Sequence, residues 1–276
     1  MLRRTVWLSV ALVASLSASA VQAQINGIVS HTRVFDDFST TNLVTSNGNS
    51  VNLGPVLSTV STAETLWTND NTGGNFANRH VFTLSSDNGA TDHLFSINDS
   101  YTFKTLVNLE VGSNAPRKEV GFLLQPAFAD AQFIVNSDAG EIVAFGGPFY
   151  SFGQNSSSNG YTPGNTILMG FTMLAAGDGN GPLQNTIEYF IDRLPGVPGG
   201  ESSSGPLPYG NSEGGPPTNY KLSLYSQAQP NLSNTAEFVT TTFSDIMFSP
   251  IPEPSTGIGM MLGTIGLACF RRRHAK

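Results

Sequence analysis

Apolar and polar residues alternate along several segments of this chain, which limits the folds it can adopt. In residues 101–111, YTFKTLVNLEV, every second position is apolar except Thr105, and Leu106 is the one apolar residue on the opposite face. Side chains of a β-strand point alternately to opposite faces, so this period of two predicts a strand with one buried face. The segments TIEYFID (186–192) and YKLSLY (220–225) repeat the pattern.

Further strand candidates lie between turn-forming tripeptides such as Asp87-Asn88-Gly89. They are Val34–Phe38, His80–Leu84, Glu119–Leu124, Gln132–Val135, Glu141–Phe145, Thr166–Leu174 and Glu237–Phe248. About ten strands joined by polar turns predict an all-β fold, either an antiparallel β-sandwich or a jelly roll.

The Gly/Pro-rich segment 195–218 is the longest stretch without a strand pattern. We expect an extended surface loop there rather than a domain linker, because only about 30 strand-like residues follow, too few for a separate core. One β-sandwich domain is therefore predicted for residues 24–250.

The N-terminus has the three parts of a secretory signal peptide. Arg3 and Arg4 are basic, residues 6–20 are mostly apolar, and small residues stand at 21 and 23. This order predicts a signal helix in residues 1–23 that is cleaved after Ala23. An N-terminal membrane anchor is the alternative.

The C-terminal residues 251–276 contain PEPSTGIGMMLGTIGLACFRRRHAK. The rigid segment consists of Pro252, Glu253 and Pro254, and the basic cluster consists of Arg271, Arg272 and Arg273. Between them we predict a transmembrane helix at about residues 256–270. Counted from Ser255, the apolar run spans about 24 Å at 1.5 Å per residue, less than the ~30 Å of a bilayer core. The basic cluster is expected to stay in the cytoplasm. A buried core helix is a poor alternative, since the arginines must reach water.

The order of Pro-Glu-Pro, apolar helix and arginine cluster resembles the PEP-CTERM sorting signal. The resemblance implies that an exosortase, a membrane-embedded cysteine protease or transpeptidase, recognises and cuts the tail near Pro-Glu-Pro. It also implies export through the Sec machinery, transient anchoring in the inner membrane with the body outside the cytoplasm, and delivery to the cell surface or an extracellular polysaccharide matrix.

The body is similar to exported PEP-CTERM proteins with a concanavalin-like or laminin-G-like sandwich. The segments that carry this resemblance are FDDFS (35–39), EVGFLL (119–124), QFIVNSDAGEIVAFGGPF (132–149) and TIEYFID (186–192). The resemblance implies no catalytic residue.

The charge of the body excludes one class of partner. Residues 24–251 hold seven basic and 19 acidic residues, a net charge of −12, so nucleic-acid binding is not expected. The chain's one cysteine, Cys269, lies in the tail, so the body has no disulfide or cysteine metal site.

Motifs for catalysis are weak in this sequence. Gly210–Gly214 matches Gly-x-Ser-x-Gly, but it lies in a Pro/Gly-rich loop with the body's histidines all upstream. Glu188 and Asp192 share a strand face, which we expect to be solvated. His80 and His93 have no third ligand nearby, so no metal site is predicted. Asp178 opens a calcium-like DGNG segment without the carboxylate at its twelfth position, and a calcium site built from distant oxygens stays open.

The sequence therefore favours an exported, non-enzymatic β-sandwich that carries no catalytic residue and no cofactor. Trp67, beside an Asn-rich segment, is the candidate for contact with a glycan, with core packing as its alternative. The alternative function is a secreted carbohydrate-active enzyme with an unrecognised catalytic site.

Overall fold

Every regular element in the described part of the chain is a β-strand. A computed structural model describes residues 25–32, 38–40, 45–47, 50–53, 56–59, 78–126, 131–154, 159–176, 185–209, 219–229 and 239–251. In chain order the strands are β1 (Gly27–Thr32), β2 (Phe38–Thr40), β3 (Thr45–Asn47), β4 (Ser50–Leu53), β5 (Val56–Thr59), β6 (Asn78–Ser85), β7 (Phe95–Ser96), β8 (Tyr101–Val111), β9 (Lys118–Pro126), β10 (Ala131–Asn136), β11 (Ile142–Phe145), β12 (Tyr150–Gly153), β13 (Thr166–Leu174), β14 (Thr186–Asp192), β15 (Glu201–Ser203), β16 (Leu207–Pro208), β17 (Asn219–Ala228) and β18 (Val239–Pro250). Among these residues, no helix has the length and apolar character that crossing a membrane requires.

Within the described residues the strands form two antiparallel sheets. The eight-stranded sheet has the order β1-β6-β17-β9-β10-β11-β12, and β7 also pairs with β17. The ten-stranded sheet has the order β15-β14-β13-β8-β18-β4-β3, with β16 paired to β14, and with β5 paired to β18 and β2. Strands distant in the chain are neighbours, as β8 and β18 are, which is typical of a jelly roll rather than a simple meander. The predicted all-β antiparallel fold is confirmed.

Strand β8 shows why the alternating sequence forms one of these sheets. Its residues alternate between buried and partly exposed from Tyr101 to Leu109, as the period of two predicts. Thr105 occupies a buried position, and its hydroxyl donates to the carbonyl oxygen of Ser244 at 2.7 Å, so the one polar residue on the buried face is paired.

Aromatic side chains join the two sheets face to face. Phe103 of the ten-stranded sheet lies 5.3 Å from Phe122 of the eight-stranded sheet, measured between ring centroids. Phe133 and Tyr189 make a second contact across the same interface at 5.1 Å. Buried aromatic pairs at these separations add to the free energy gained from burial, so the space between the sheets is the main core of the sandwich.

The eight-stranded sheet is buried on its other face as well, which we call its outer face. A second apolar cluster lies there, formed by Val81, Leu123, Ile134, Val143 and Tyr225, with Phe145 packed against it. The sequence of β9, β10 and β11 explains this, because GFLL, QFIV and IVAF are nearly continuous apolar runs, as strands buried on both faces require. The prediction of one apolar face therefore holds for β8 but not for these strands.

The segment predicted to be an extended loop, residues 195–218, contains two short strands in its described part. Strand β15 pairs with β14, and β16 pairs with β14 at Thr186 and Ile187. Edge strands tolerate proline, since one side of the strand has no ladder to complete, and Pro208 lies in β16. Composition alone therefore missed two short edge strands.

Several predictions concern residues outside the described part of the chain. These are the signal peptide with Ala23, the residue Trp67, the motif Pro252, Glu253 and Pro254, the transmembrane helix, and the cluster Arg271, Arg272 and Arg273. The described residues all belong to one compact unit, Ala23–Glu253. The domain limits drawn from the sequence stay predictions.

Candidate active site

Polar and ionisable side chains gather at one end of the outer face of the eight-stranded sheet. The backbone register places Tyr225 of β17 between Val81 of β6 and Gly121 of β9. The next row along the same face consists of Arg79, Gln227, Glu119 and Asn136. Because alternate residues share a face, this row lies directly beside the apolar cluster that surrounds Tyr225.

Glu119 is the centre of the hydrogen bonds in this row. The Tyr225 hydroxyl donates to Oε2 of Glu119, and the Arg117 Nε donates to Oε1. The Gln227 amide approaches Oε2 at 3.4 Å. Glu119 is 10% exposed as a side chain, so a buried carboxylate is held by a neutral hydroxyl on one side and a cation on the other.

Arg117 connects this buried carboxylate to the protein surface. Its Nη1 donates to Oε2 of Glu141 at 3.2 Å and lies 3.7 Å from Oδ1 of Asp138. The Asn136 amide donates to the same Glu141 oxygen at 2.6 Å. Burial by itself would lower the pKa of Arg117, but the hydrogen bond and charge of Glu119 and the other carboxylates raise it. We call Arg117, Glu119, Asn136, Glu141, Tyr225 and Gln227 the acid–base network.

The hydroxyl of Tyr225 keeps its proton over a wide pH range. The residue is fully buried, and burial raises its pKa well above the ordinary value. The negative charge and hydrogen bond of Glu119 raise the pKa further, and the cations Arg79 and Arg117 offset only part of this. Perturbed ionisable groups of this kind concentrate at functional sites, although structural ion pairs produce them too.

Gly121 makes the arrangement around Tyr225 possible. Its φ is +156°, and a Cβ atom there would lie 2.1 Å from the carbonyl oxygen of Phe133 on β10. No side chain fits at this point, so β9 and β10 approach each other closely beneath the network.

A second ionic cluster lies on the same face, nearer the edge strand β1. Asp92 accepts from Nε2 of His31 at 2.7 Å and from Nζ of Lys221 at 2.7 Å. Burial raises the pKa of Asp92, but the hydrogen bonds and charges of Lys221 and His31 outweigh it and lower the pKa overall. His31 pairs with Val81, which pairs with Tyr225, so His31 and Tyr225 occupy one cross-strand row about 10 Å apart at the backbone.

The residues singled out from the sequence are placed elsewhere. His80 is buried near Phe82, with ring centroids 6.2 Å apart, and the His93 ring lies edge-on to Phe95 at 4.5 Å. Asp192, expected on a solvated face, is only 8% exposed, because it lies under the turn that follows β14 and its Oδ1 accepts from the Leu194 amide. The segments of Gly210–Gly214 and Asp178 fall outside the described residues, which hold no group of three or more potential metal ligands.

Sequence reasoning missed Tyr225, Glu119 and Arg117 as a group. Alternation in YKLSLY put Tyr220, Leu222 and Leu224 on the core face, which leaves Tyr225 on the other one. Glu119 opens the segment EVGFLL, where it was noted only as part of a strand. A polar residue within a strand buried on both faces was the available signal.

Comparisons with known proteins identify the tail. Residues 250–273 match the family model described as the PEP-CTERM protein-sorting motif. This confirms the resemblance drawn from the sequence: the chain carries the sorting motif of an exported, exosortase-processed protein that is associated with the cell surface. A comparison with curated proteins gives no match.

The body is similar in fold to solved structures of alginate lyases. The alginate lyase AlgAT5 of polysaccharide lyase family 7 has a TM-score of 0.48 at 10% identity, over 78% of this chain and 82% of that one. The alginate lyase from Klebsiella pneumoniae gives a TM-score of 0.47 at 8% identity, over 76% and 85%. The alginate lyase from Corynebacterium sp. gives 0.46 at 10% identity, over 78% and 83%. At identities this low, the similarity concerns the β-sandwich fold alone.

This comparison corrects the expectation of a non-enzymatic body without catalytic residues. The solved structures named above are alginate lyases, so the non-enzymatic interpretation is not kept. The alternative, a carbohydrate-active enzyme, is taken up below as a proposal.

Proposed function

We propose that the exported body is a carbohydrate-active enzyme whose proton-transfer site is centred on Tyr225. The observation that carries this proposal is the hydrogen-bonded series Tyr225–Glu119–Arg117 on the outer face of the eight-stranded sheet. It provides a proton donor, a carboxylate that orients the donor's hydroxyl and a cation that orients the carboxylate, which are parts of a general acid site.

Tyr225 is assigned the role of general acid. Its pKa lies above the ordinary value, so the hydroxyl is protonated at neutral pH and can give its proton to the leaving oxygen of a glycosidic bond. The transfer leaves Tyr225 as a phenolate, which takes a proton back from water before the next turnover. Withdrawal of the pair from water strengthens the electrostatic interactions between the site and a bound substrate.

Hydrolysis by two carboxylates is less well supported at this site. Glu119 and Glu141 both accept from the same guanidinium, Arg117, so neither is presented as a free partner for water or for a sugar carbon. A retaining or inverting glycosidase needs one carboxylic acid and one carboxylate on opposite sides of the scissile bond. Cleavage that relies on a tyrosine proton therefore fits the network better.

The test uses the mature full-length protein on alginate, the polysaccharide named for the similar structures, and on a neutral glucan. Cleavage is followed by the loss of polymer length. Elimination leaves an unsaturated sugar that absorbs ultraviolet light, whereas hydrolysis leaves saturated reducing ends only. We expect Tyr225→Phe, which removes the hydroxyl but keeps the ring, to lower kcat by about 10²–10⁴-fold, the usual contribution of a general acid.

Tyr220→Phe is the matched control for this experiment. Tyr220 is also buried, lies on the same strand, and shares a 2.7 Å hydrogen bond with the Tyr101 hydroxyl, but it faces the core. Loss of its hydroxyl should lower thermal stability without lowering kcat in the remaining folded protein. Equal losses of activity in both variants, or no cleavage of any polymer by the wild-type protein, would contradict the proposed function.

For delivery, we propose that the signal peptide is removed after Ala23 on export through the Sec machinery and that residues 256–270 hold the chain transiently in the inner membrane. Exosortase cleavage near Pro252–Pro254 would then release the body toward the extracellular polysaccharide. The basic run Arg271–Arg273 and the shortness of the apolar segment support this order of events.

A further inference from the structure

The outer face of the ten-stranded sheet, which points away from the core, carries an aromatic ring laid over a glycine. Phe190 of β14, Gly170 of β13 and Lys104 of β8 form one cross-strand row. A Cβ atom at Gly170 would lie 2.5 and 2.6 Å from carbons of the Phe190 ring and 2.7 Å from Cβ of Lys104. The ring therefore occupies the space that a side chain at position 170 would fill, and it is partly exposed.

An open depression of about 350 Å³ lies beside this ring. Its lining includes Leu168, Phe190, Asp192, Glu201, Ser202 and Ser203. The volume falls at the lower end of the range for small-molecule sites, about 300–1,000 Å³, and suits one or two sugar rings. An apolar platform with a few polar groups at its margin is the usual composition of such a site.

The protein bonds one of the two carboxylate oxygens of Asp192. Asp192 is 8% exposed, and its Oδ1 accepts from the Leu194 amide at 2.8 Å. Among the described residues no donor bonds its second oxygen, although Asp192 lines the depression. This second oxygen is not among the buried polar atoms that lack a partner, so it is accessible from the depression. The Leu194 amide therefore fixes one oxygen, and a ligand hydroxyl in the depression can donate to the other.

Two more carboxylates flank the same ring. Glu201 lies opposite Asp192 in the ladder between β14 and β15, and its Oε2 accepts from the Gly199 amide at 2.8 Å. Ser203 lies opposite Phe190, and its hydroxyl donates to Oε1 of Glu188. Hydrogen-bond acceptors thus stand on both sides of the ring along β14.

We propose that this depression is a second saccharide-binding site, on the sheet opposite the acid–base network, for a neutral hexose unit of a polysaccharide. One face of the sugar stacks on Phe190, and its hydroxyls donate to Asp192 and Glu201. Three carboxylates, Asp192, Glu201 and Glu188, outnumber the two nearby cations, Lys104 and Arg193, whose Nη1 lies 3.3 Å from the Ser202 hydroxyl in the lining. This excess of negative charge disfavours an acidic sugar, so charge complementarity selects an uncharged glycan. The site does not depend on the proposed catalytic function, since no residue is shared.

The test measures binding of neutral gluco-, manno- and galacto-oligosaccharides and of an oligouronate to the mature full-length protein by calorimetry. We expect a neutral oligosaccharide to bind, and Phe190→Ala and Asp192→Asn each to weaken that binding by about tenfold. Asp192→Asn keeps Oδ1 for the Leu194 amide, so it separates ligand contact from folding. Phe190→Leu keeps apolar bulk but loses the aromatic face, and thermal unfolding checks that each variant is folded.

Glu110→Gln is the matched control, because Glu110 is an exposed carboxylate at the far end of β8 from Lys104 and away from the depression. Binding should be unchanged in this variant. The proposal is overturned if no neutral oligosaccharide binds, if Phe190→Ala and Asp192→Asn bind as well as the wild type, or if the oligouronate competes equally. Binding that a calcium chelator abolishes would assign Asp192 and Glu201 to a cation instead.

Discussion

Removal of Arg117 is the perturbation that most directly tests the acid–base network. Arg117 and Glu119 have side chains 26% and 10% exposed, so their ion pair is neither a surface pair nor fully buried. Exposed pairs contribute about 0.2–1 kcal/mol, whereas removing one partner of a buried pair costs about 3–5 kcal/mol. Tyr225 and Gln227 still donate to Glu119 when the guanidinium is gone. We therefore expect Arg117→Ala to destabilise the fold by about 2 kcal/mol.

A double-mutant cycle assigns this cost to charge. Glu119→Gln replaces the carboxylate with a neutral amide, so in the Arg117→Ala background it removes the unpaired buried charge. The double variant should be more stable than Arg117→Ala alone, with a coupling energy of about 1–2 kcal/mol. Thermal unfolding is the assay, and 2 kcal/mol corresponds to a fall in Tm of about 4–8 °C for a domain of this size.

Additive effects of the two substitutions would contradict this expectation. Additivity would mean that the Arg117–Glu119 pair contributes nothing beyond its separate parts, as many surface ion pairs do. An Arg117→Ala variant as stable as the wild type would likewise show that Glu119 is solvated well enough to need no partner, and the orientation of the Tyr225 hydroxyl would then lack its support.

Three further outcomes are expected. Gly121→Ala should destabilise the fold by about 3 kcal/mol in urea unfolding, because the new Cβ strains the backbone and clashes with β10. Gly164→Ala is the control: Gly164 has a φ of +89° and open space around it, so only the backbone strain remains, about 1 kcal/mol. The pKa of Asp92 is lower in the folded than in the unfolded state, so its ionised carboxylate stabilises the fold. This contribution to the free energy of unfolding is complete above the ordinary pKa of 3.8 and is lost as the pH falls through the lower pKa of the folded state. Lys221→Met removes one cation that lowers this pKa, so the free energy of unfolding should fall less with decreasing pH than it does in the wild type. Urea unfolding at a series of pH values measures the difference. Glu253→Ala should leave uncleaved chain in the membrane fraction, as seen by the C-terminal mass, and normal processing would contradict the sorting role of this residue.

The fold could be predicted from the sequence where local alternation and burial agree. The bounds of β8, β13 and β14 agree with the predicted segments at both ends, because each strand has one face in the core. Prediction was poorer for β15 and β16, whose Gly, Ser and Pro residues fit a loop equally well. What makes them strands is the open edge of β14, a tertiary feature that no local pattern contains.

The candidate site could not be predicted from the sequence for a related reason. Tyr225 and Glu119 are 106 positions apart and meet only because β17 pairs with β9 in one particular register. A shift of one residue would move Tyr225 into the core and Leu224 to the outer face. The chemistry of the site is therefore a consequence of strand register, whereas the sorting motif is local and was recognised from its order alone.

The boundary between the body and the sorting motif has a physical consequence for processing. The motif match begins at residue 250, which is the last residue of β18 and pairs with Tyr101, and the amide of Ile251 donates to the carbonyl oxygen of Ser100 at 2.9 Å. Within the described residues, the motif thus shares only its first two residues with the sandwich. Cleavage at or after Pro252 leaves every described hydrogen bond of β18 in place, so the tail can be removed without loss of the pairing that holds the last strand between β8 and its neighbours.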